Sequence, residues 1–198
     1  MTLKRFSQTK TIMAKMLFSL VNGVKGGVKG ALSGTADLGS TIVGSVKDLA
    51  INTIKNTSDL VVKGIQIPAS IVQGGIEGVS AIGTGVVRLV KGIVDGAVQG
   101  AMDQGVDQKD AVKGSVSQAI HASKELGIDI GEVAVEAVKG SISAVRKVGG
   151  DTLSATNNSI IAALEAAKDI GDEAANSVKK ALKEGVEGAT DILNEIKK

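Results

Sequence analysis

The residues that could carry out chemistry are few, and their spacing brings no reactive set together. His121 is the only histidine among 198 residues, and cysteine is absent. Ser117 and Ser123 lie close to His121 in sequence, but no recognisable third residue completes a nucleophilic triad. The lack of cysteine excludes thiolate catalysis, a disulfide framework and Cys-ligated zinc. We therefore expect a protein that is not an enzyme.

Acidic residues are the remaining candidates for metal chemistry. On a continuous helix, Asp103, Asp107 and Asp110 would share one side at i, i+4 and i+7 and could contact a hard cation, although they lack the ligand spacing of an EF-hand loop. A solvated acidic patch is the other interpretation, and we favour it. The same interpretation applies to the carboxylate pairs Glu132/Glu136 and Asp169/Glu173. We predict no metal site and no bound cofactor.

The composition argues against small-molecule and nucleic-acid ligands. Hydrophobic residues make up 43% of the chain, yet Phe6 and Phe18 are the only aromatics. Aromatic side chains provide much of the burial in ligand pockets and the stacking platforms for unpaired bases. The segment Gly83-Thr84-Gly85 lacks the third glycine and the preceding strand of a dinucleotide fingerprint. We expect neither a small-molecule substrate nor a nucleic-acid partner.

A 22-residue internal repeat dominates the sequence. Eight aliphatic residues recur at this interval, and the residue four positions before each is also apolar. Apolar residues four apart occupy one face of an α-helix, so the pattern predicts an all-α protein of tandem amphipathic repeats that form long helices or helical hairpins. We call these eight residues the aliphatic stripe and expect them to contact lipid or packed protein: Leu32, Ile54, Ile76, Val98, Ile120, Ile142, Leu164 and Val186.

Glycine follows the same period. Seven residues after each stripe residue, six of the eight positions are glycine, and 17 of the 26 glycines precede residue 106. An interior glycine costs a helix roughly 1 kcal/mol relative to alanine. The pattern leaves open whether the helices run through these glycines or end there, and it predicts weaker helices in the front half of the chain.

Two ladders of glycines four residues apart are separated by three repeats. Small residues at this spacing let helix backbones approach closely, so we predict tight helix–helix seams between repeats or between molecules. Compositional drift within a repeat is the alternative explanation. The predicted seam glycines are Gly26, Gly30, Gly34, Gly92, Gly96 and Gly100.

Charge and composition divide the chain into three predicted regions. Residues 1–23 form a basic amphipathic segment, 24–105 hold Gly/Val-rich repeats, and 106–198 hold repeats richer in Ala, Lys and Glu. The bases that we expect to steer the first region to a membrane are Lys4, Arg5, Lys10 and Lys15. This region could instead be a targeting segment. The best candidate for a membrane span, Ile65–Val87, contains Pro68 and five glycines and is a poor one.

The repeat resembles the lipid-surface repeats of exchangeable apolipoproteins, perilipins and synucleins. Their 11- or 22-residue period, apolar stripe and flanking lysines are similar to residues 24–198, and Lys183-Glu184-Gly185-Val186 resembles the synuclein repeat core. The composition is also similar to that of phasin-type granule coat proteins. The resemblance implies amphipathic helices on a lipid surface. The glycines near the stripe are a departure from these families, and they weaken the case for lipid insertion because glycine contributes no apolar area to be buried.

Two functions therefore stand side by side. In the first, the chain is a cytoplasmic coat or structural protein, peripheral to a membrane or granule, whose repeated helices lie on a lipid or other hydrophobic surface. In the second, the stripe packs against itself and the chain self-assembles as hairpins, a solenoid or a filament through Gly/Ala seams without lipid. A β-solenoid with 22-residue coils is disfavoured by the i, i+4 apolar steps.

Overall fold

The described residues of the computed structural model fold entirely into α-helices and the turns between them. They comprise residues 2–33, 36–56, 64–83 and 85–196, with side chains described from residue 14 onward. This all-helical repeat architecture confirms the predicted fold class. The helices are α1 (Thr2–Leu32), α2 (Leu38–Asn56), α3 (Gln66–Ala81), α4 (Val86–Asp103), α5 (Gln108–Glu125), α6 (Ile130–Lys147), α7 (Thr152–Ile170), α8 (Asp172–Gly185) and α9 (Ala189–Glu195).

The helices form two layers. From α1 to α7, each odd-numbered helix packs beside the next odd-numbered one, and from α2 to α8 each even-numbered helix packs beside the next even-numbered one. Consecutive helices also contact each other across the layers. The aliphatic faces of both layers meet in one continuous core that runs from Val24 to Leu193. Each helix thus buries its apolar face only because its neighbours cover it, as in other repeat proteins.

Glycine ends several of the helices. Gly83, Gly105, Gly127 and Gly149 have φ values of +71°, +79°, +69° and +76°. Side chains disfavour this left-handed conformation because the Cβ atom clashes with the backbone, whereas glycine adopts it readily. These four residues belong to the glycines found seven positions after a stripe residue. The helices therefore end at these glycines rather than continuing through them.

Aspartate starts three of the helices. Asp107, Asp129 and Asp151 lie two residues after the glycines of the preceding turns, and their carboxylates accept backbone hydrogen bonds from the first turns of α5, α6 and α7. Such capping satisfies N–H groups that have no partner within the helix. The helices from α4 to α7 begin at residues 86, 108, 130 and 152, whereas α3 and α8 begin at 66 and 172. The intervals between successive helix starts are thus not uniform along the whole chain.

One sequence expectation needs correction. Asp103, Asp107 and Asp110 do not share one helix, because Asp103 ends α4 and Asp107 caps α5, which contains Asp110. Pro68 lies in the first turn of α3, where a missing backbone N–H costs little. Within the part of the chain that the structure describes, no helix is long and apolar enough to cross a membrane.

Candidate functional site: helix seams and the exposed part of helix α1

The aliphatic stripe lies inside the protein. Five of its residues, all within helices, are at most 3% exposed. Leu164 in α7 and Val186, just after α8, are each 8% exposed. Ile142 is partly buried and packs against the same core. The buried members are Leu32, Ile54, Ile76, Val98, Ile120, Leu164 and Val186. The stripe therefore contacts the chain's own helices.

One of the two glycine ladders forms a close seam between α4 and α2. A Cβ atom added at Gly92 would lie 2.5 Å from Cγ2 of Ile42, and one at Gly96 would lie 2.5 Å from the carbonyl oxygen of Val43. At Gly100 the added atom would lie 2.7 Å from the carbonyl oxygen of Lys47. Since real Cβ atoms do not approach backbone this closely, glycine allows the two helices to touch at three successive turns.

The other ladder lies at an uncovered edge. Gly26 and Gly30 are exposed on α1, and a Cβ atom added at either would meet no atom within 4 Å. Gly34 lies outside the described residues. The two ladders thus occupy different environments, although their sequences are equivalent, because α2 packs beside α4, whereas no described atom lies against Gly26 or Gly30.

A further close seam joins α3 to α1, and its glycines, Gly74 and Gly78, are not among the predicted seam glycines. A Cβ at Gly74 would lie 2.6 Å from the carbonyl oxygen of Val21, and one at Gly78 would lie 2.9 Å from that of Lys25. Both glycines are 53 residues beyond the carbonyl that they face. The separation of four residues between Gly74 and Gly78 was a visible signal in the sequence. Its partner helix was not, because the contact is non-local.

Ion pairs join neighbouring helices of the same layer. Lys25 contacts Glu77 at 3.3 Å between α1 and α3, and Lys47 contacts Asp103 at 2.9 Å between α2 and α4. Lys113 contacts Glu165 at 2.8 Å between α5 and α7. These side chains are between a quarter and a half exposed, where such pairs contribute at most about 1 kcal/mol. They therefore contribute little to the stability of the fold.

Asp95 is a buried charge that sequence reasoning missed. Its side chain on α4 is 4% exposed, and its Oδ2 atom accepts hydrogen bonds from Lys147 Nζ at 2.6 Å and Ser143 Oγ at 2.8 Å, both on α6. Gln99 also donates to the carboxylate. A buried carboxylate is tolerated only with such partners. The signal in the sequence was an acid within the apolar α4 segment, at a repeat position that is otherwise varied.

Two capping carboxyls have a shifted pKa. Hydrogen bonds from the backbone and side chain of Ser154 hold the pKa of Asp151 below its ordinary value. The hydroxyl and then the backbone N–H of Ser40 lower the pKa of Asp37, which precedes α2. Both shifts follow from hydrogen bonding to the charged form. They describe helix capping rather than acid–base chemistry.

The candidates for chemistry remain scattered. His121 is partly buried on α5, and Ser117 Oγ lies 3.4 Å from the carbonyl oxygen of Ala162, to which it donates. Ser123 is buried, and its hydroxyl has no hydrogen-bond partner within the described part of the chain. Of the carboxylate pairs, Glu132/Glu136 lies on α6 and Asp169/Glu173 spans the turn between α7 and α8. Among the residues that the structure describes, no group of three His, Cys, Asp or Glu could hold a metal ion.

Helix α1 carries two exposed large apolar side chains near its middle. Phe18 is 70% and Met16 is 50% exposed, while Leu17 and Leu20 are partly buried against the core. Lys15 is exposed beside them. The other predicted steering bases, Lys4, Arg5 and Lys10, lie earlier in α1, where side chains fall outside the described residues.

Comparisons with known proteins show the fold alone. No protein-family model matches the chain, and no curated protein is significantly similar to it. The crystal structure of the de novo designed helical repeat protein DHR7 is similar, with a TM-score of 0.54 and 20% sequence identity. The alignment covers 87% of this chain and 95% of that one. The chain is therefore similar to a helical repeat protein, and the comparison gives no support to the apolipoprotein, perilipin or synuclein families specifically.

Proposed function

We propose that the chain is a non-enzymatic structural protein, a helical-repeat scaffold whose amphipathic helices pack on one another rather than on lipid. The observation that carries this proposal is the burial of the aliphatic stripe, with Ile54, Ile76 and Ile120 at no more than 1% exposed. Burying an apolar side chain against protein stabilises the fold by roughly 1.5–3 kcal/mol, and a side chain buried in this way is not available to contact lipid.

The seams and ion pairs support the same function. Gly96 brings the backbones of α4 and α2 together, and Asp95 joins α4 to α6 through Lys147. These contacts are specific to one register of parallel neighbouring helices. A chain that opened its layers to coat a surface would lose them, the Lys147–Asp95 ion pair included. The geometry thus favours a preformed scaffold over a coat of loose repeats.

Self-association is a second candidate function, and a specific observation favours it. Gly26 and Gly30 precede Gly92 and Gly96 by 66 residues, or three repeats, and present the same ladder at an uncovered edge. A helix from a second molecule could occupy the place that α2 takes beside α4. Light scattering coupled to size exclusion would measure the mass of the wild type and of a Gly26→Leu/Gly30→Leu variant. A concentration-dependent dimer that the variant abolishes supports this candidate, and a wild-type monomer at all concentrations excludes it.

The scaffold proposal is tested by thermal unfolding followed by circular dichroism. Replacing buried Ile120 with Asp places an unpaired carboxylate in the core and should cost several kcal/mol. Leu153→Asp is the matched control because Leu153 is 73% exposed on α7. We expect a high helix content without lipid, a large fall in Tm for Ile120→Asp and little change for Leu153→Asp. Equal Tm values for the two variants, or a wild type that is helical only when vesicles are present, would refute the proposal.

A further inference from the structure

Helix α1 is longer than the array against which it packs. It has 31 residues, or about 46 Å at 1.5 Å per residue, whereas α3, its neighbour in the layer, has 16. The contacts of Gly74 with Val21 and of Gly78 with Lys25 define an offset of 53 residues between the two helices. Gln66, the first residue of α3, therefore lies at the level of residue 13. The first three turns of α1 extend past the end of α3.

The part of α1 before Val21 carries apolar side chains over a broad arc. At 100° per residue, Met16, Leu20, Leu17 and Phe18 span about 200°. Leu20 and Leu17, in the middle of this arc, pack partly against the core, so the face turned away from the array has Met16 and Phe18 at its sides and Lys15 and Ser19 between them. Met16 and Phe18, at the two sides of this arc, are half or more exposed. Both aromatic residues of the chain, Phe6 and Phe18, occur in this part of α1. An isolated helix as short as the three turns that extend past α3 is marginal in water and gains stability from a surface that covers it.

The charge of this part indicates the nature of that surface. Of the chain's 23 basic residues, six lie in residues 1–36, which contain no acid. Residues 37–198 contain the other 17 bases and all 21 acids, so the positive charge is concentrated in the first 36 residues. Anionic lipid headgroups attract such a segment by about 1 kcal/mol per Lys or Arg near the surface. Basic residues beside Phe, Leu and Met are the composition of helices that lie in the membrane interface.

We propose that residues 2–20 of α1, the N-terminal segment, dock the protein on an anionic lipid bilayer, with Phe18 and Met16 in the headgroup region and the positive charge of the segment attracted to the lipid phosphates. This goes beyond the scaffold function, because the array keeps its stripe buried and only the N-terminal segment contacts lipid. Docking requires no rearrangement of α2–α9.

The first experiment measures insertion. The chain contains no Trp and no Tyr, so Phe18→Trp introduces a single fluorophore in the N-terminal segment. Leu153→Trp places the same reporter at a 73% exposed position on α7 and is the control. With vesicles of phosphatidylcholine and phosphatidylserine, we expect a blue shift for Phe18→Trp alone. A shift in neither variant, or an equal shift in both, contradicts the proposal.

The second experiment tests the role of the local charge by vesicle co-sedimentation of the full-length protein. Changing Lys4, Arg5, Lys10 and Lys15 to Glu should weaken binding to the anionic vesicles at least about tenfold. The control changes four exposed bases away from helix C-termini to Glu and alters the net charge equally: Arg88, Lys91, Lys109 and Lys180. It should bind nearly as the wild type does, and binding should fall in high salt. Equal loss in both variants overturns the proposal, as does a wild type that does not bind. Circular dichroism of each variant shows independently whether the scaffold is intact.

Discussion

At the scale of single residues, the same residue type plays different roles according to what lies opposite it. Gly96 faces the backbone of α2 and Gly30 faces open space, although both lie in ladders that look alike in sequence. Asp95 is buried beside Lys147, whereas the other interhelical ion pairs are partly exposed. The sequence predicts that small residues recur, but not which of them are covered, because coverage depends on a helix about 50 residues away.

The two glycines give the first prediction. Gly96→Ala should destabilise the fold by roughly 1–3 kcal/mol, because its Cβ would lie 2.5 Å from the carbonyl oxygen of Val43 and the helices must separate. Gly30→Ala adds a methyl group where no atom lies within 4 Å, so it should stabilise α1 by up to about 1 kcal/mol. Urea unfolding measures both. Effects of the same sign would contradict the assignment of the seam.

The buried charge gives the second prediction. Lys147→Ala leaves the Asp95 carboxylate 4% exposed with only Ser143 and Gln99 as donors, and should cost roughly 1.5–3 kcal/mol. Lys113→Ala removes a pair with Glu165 in which both side chains are 42% and 51% exposed, and should cost less than about 1 kcal/mol. The comparison uses the free energy of unfolding in urea. If the cost of Lys113→Ala equals or exceeds that of Lys147→Ala, burial of Asp95 is not what gives that pair its strength.

At the scale of elements, helices are defined by what starts and ends them. The stripe and its i, i+4 steps are local, so they could be predicted from the sequence. The turn signal, a glycine followed two residues later by Asp at residues 105–107, 127–129 and 149–151, was also present. Asp107 was instead grouped with Asp103 and Asp110 on one side of a continuous helix, and the pattern left open whether helices end at the glycines. Positive φ at Gly105 and capping by Asp107 explain why α4 and α5 are separate helices.

The caps give the third prediction. The carboxylate of Asp129 accepts hydrogen bonds from the backbone N–H groups of Gly131 and Glu132 at 2.8 and 3.0 Å. Asp129→Ala should therefore destabilise α6 and lower the free energy of unfolding by about 1 kcal/mol. Asp169→Ala, near the end of α7, is the matched control and should be neutral or slightly stabilising, since a negative charge at a helix C-terminus is unfavourable. A larger cost for Asp169→Ala would refute the assigned roles.

Acid should remove part of the capping. Because the pKa of Asp151 is lowered in the folded protein, its ionised form contributes stability above the unfolded pKa of about 3.9. That contribution is lost as the pH falls through the lower folded value. Urea unfolding should thus show wild type more stable than Asp151→Asn at pH 7, with the difference disappearing in stronger acid. A difference that persists unchanged or grows in acid would contradict this linkage.

At the scale of the whole molecule, the two layers cover each other's apolar faces and leave Met16 and Phe18 of α1 exposed. The sequence predicted repeated amphipathic helices, but it could not decide between lipid and protein as the cover of the stripe. What covers the stripe depends on whether the chain turns back at the glycines. If it does, the apolar faces of successive helices meet; if the helix continues, the stripe stays on one side of a long helix. The reversals at Gly83, Gly105, Gly127 and Gly149 decide it for a packed array.

Hydrogen–deuterium exchange followed by mass spectrometry, with the protein alone and with anionic vesicles, tests this account most directly. Slow exchange throughout α4–α7 in buffer, unchanged by vesicles, is the predicted result, with new protection confined to peptides from residues 2–20. Rapid exchange around Val98, Ile120 and Leu164 in buffer, followed by protection when vesicles are added, would contradict it. That outcome would mean that the stripe is covered by lipid and not by the protein itself.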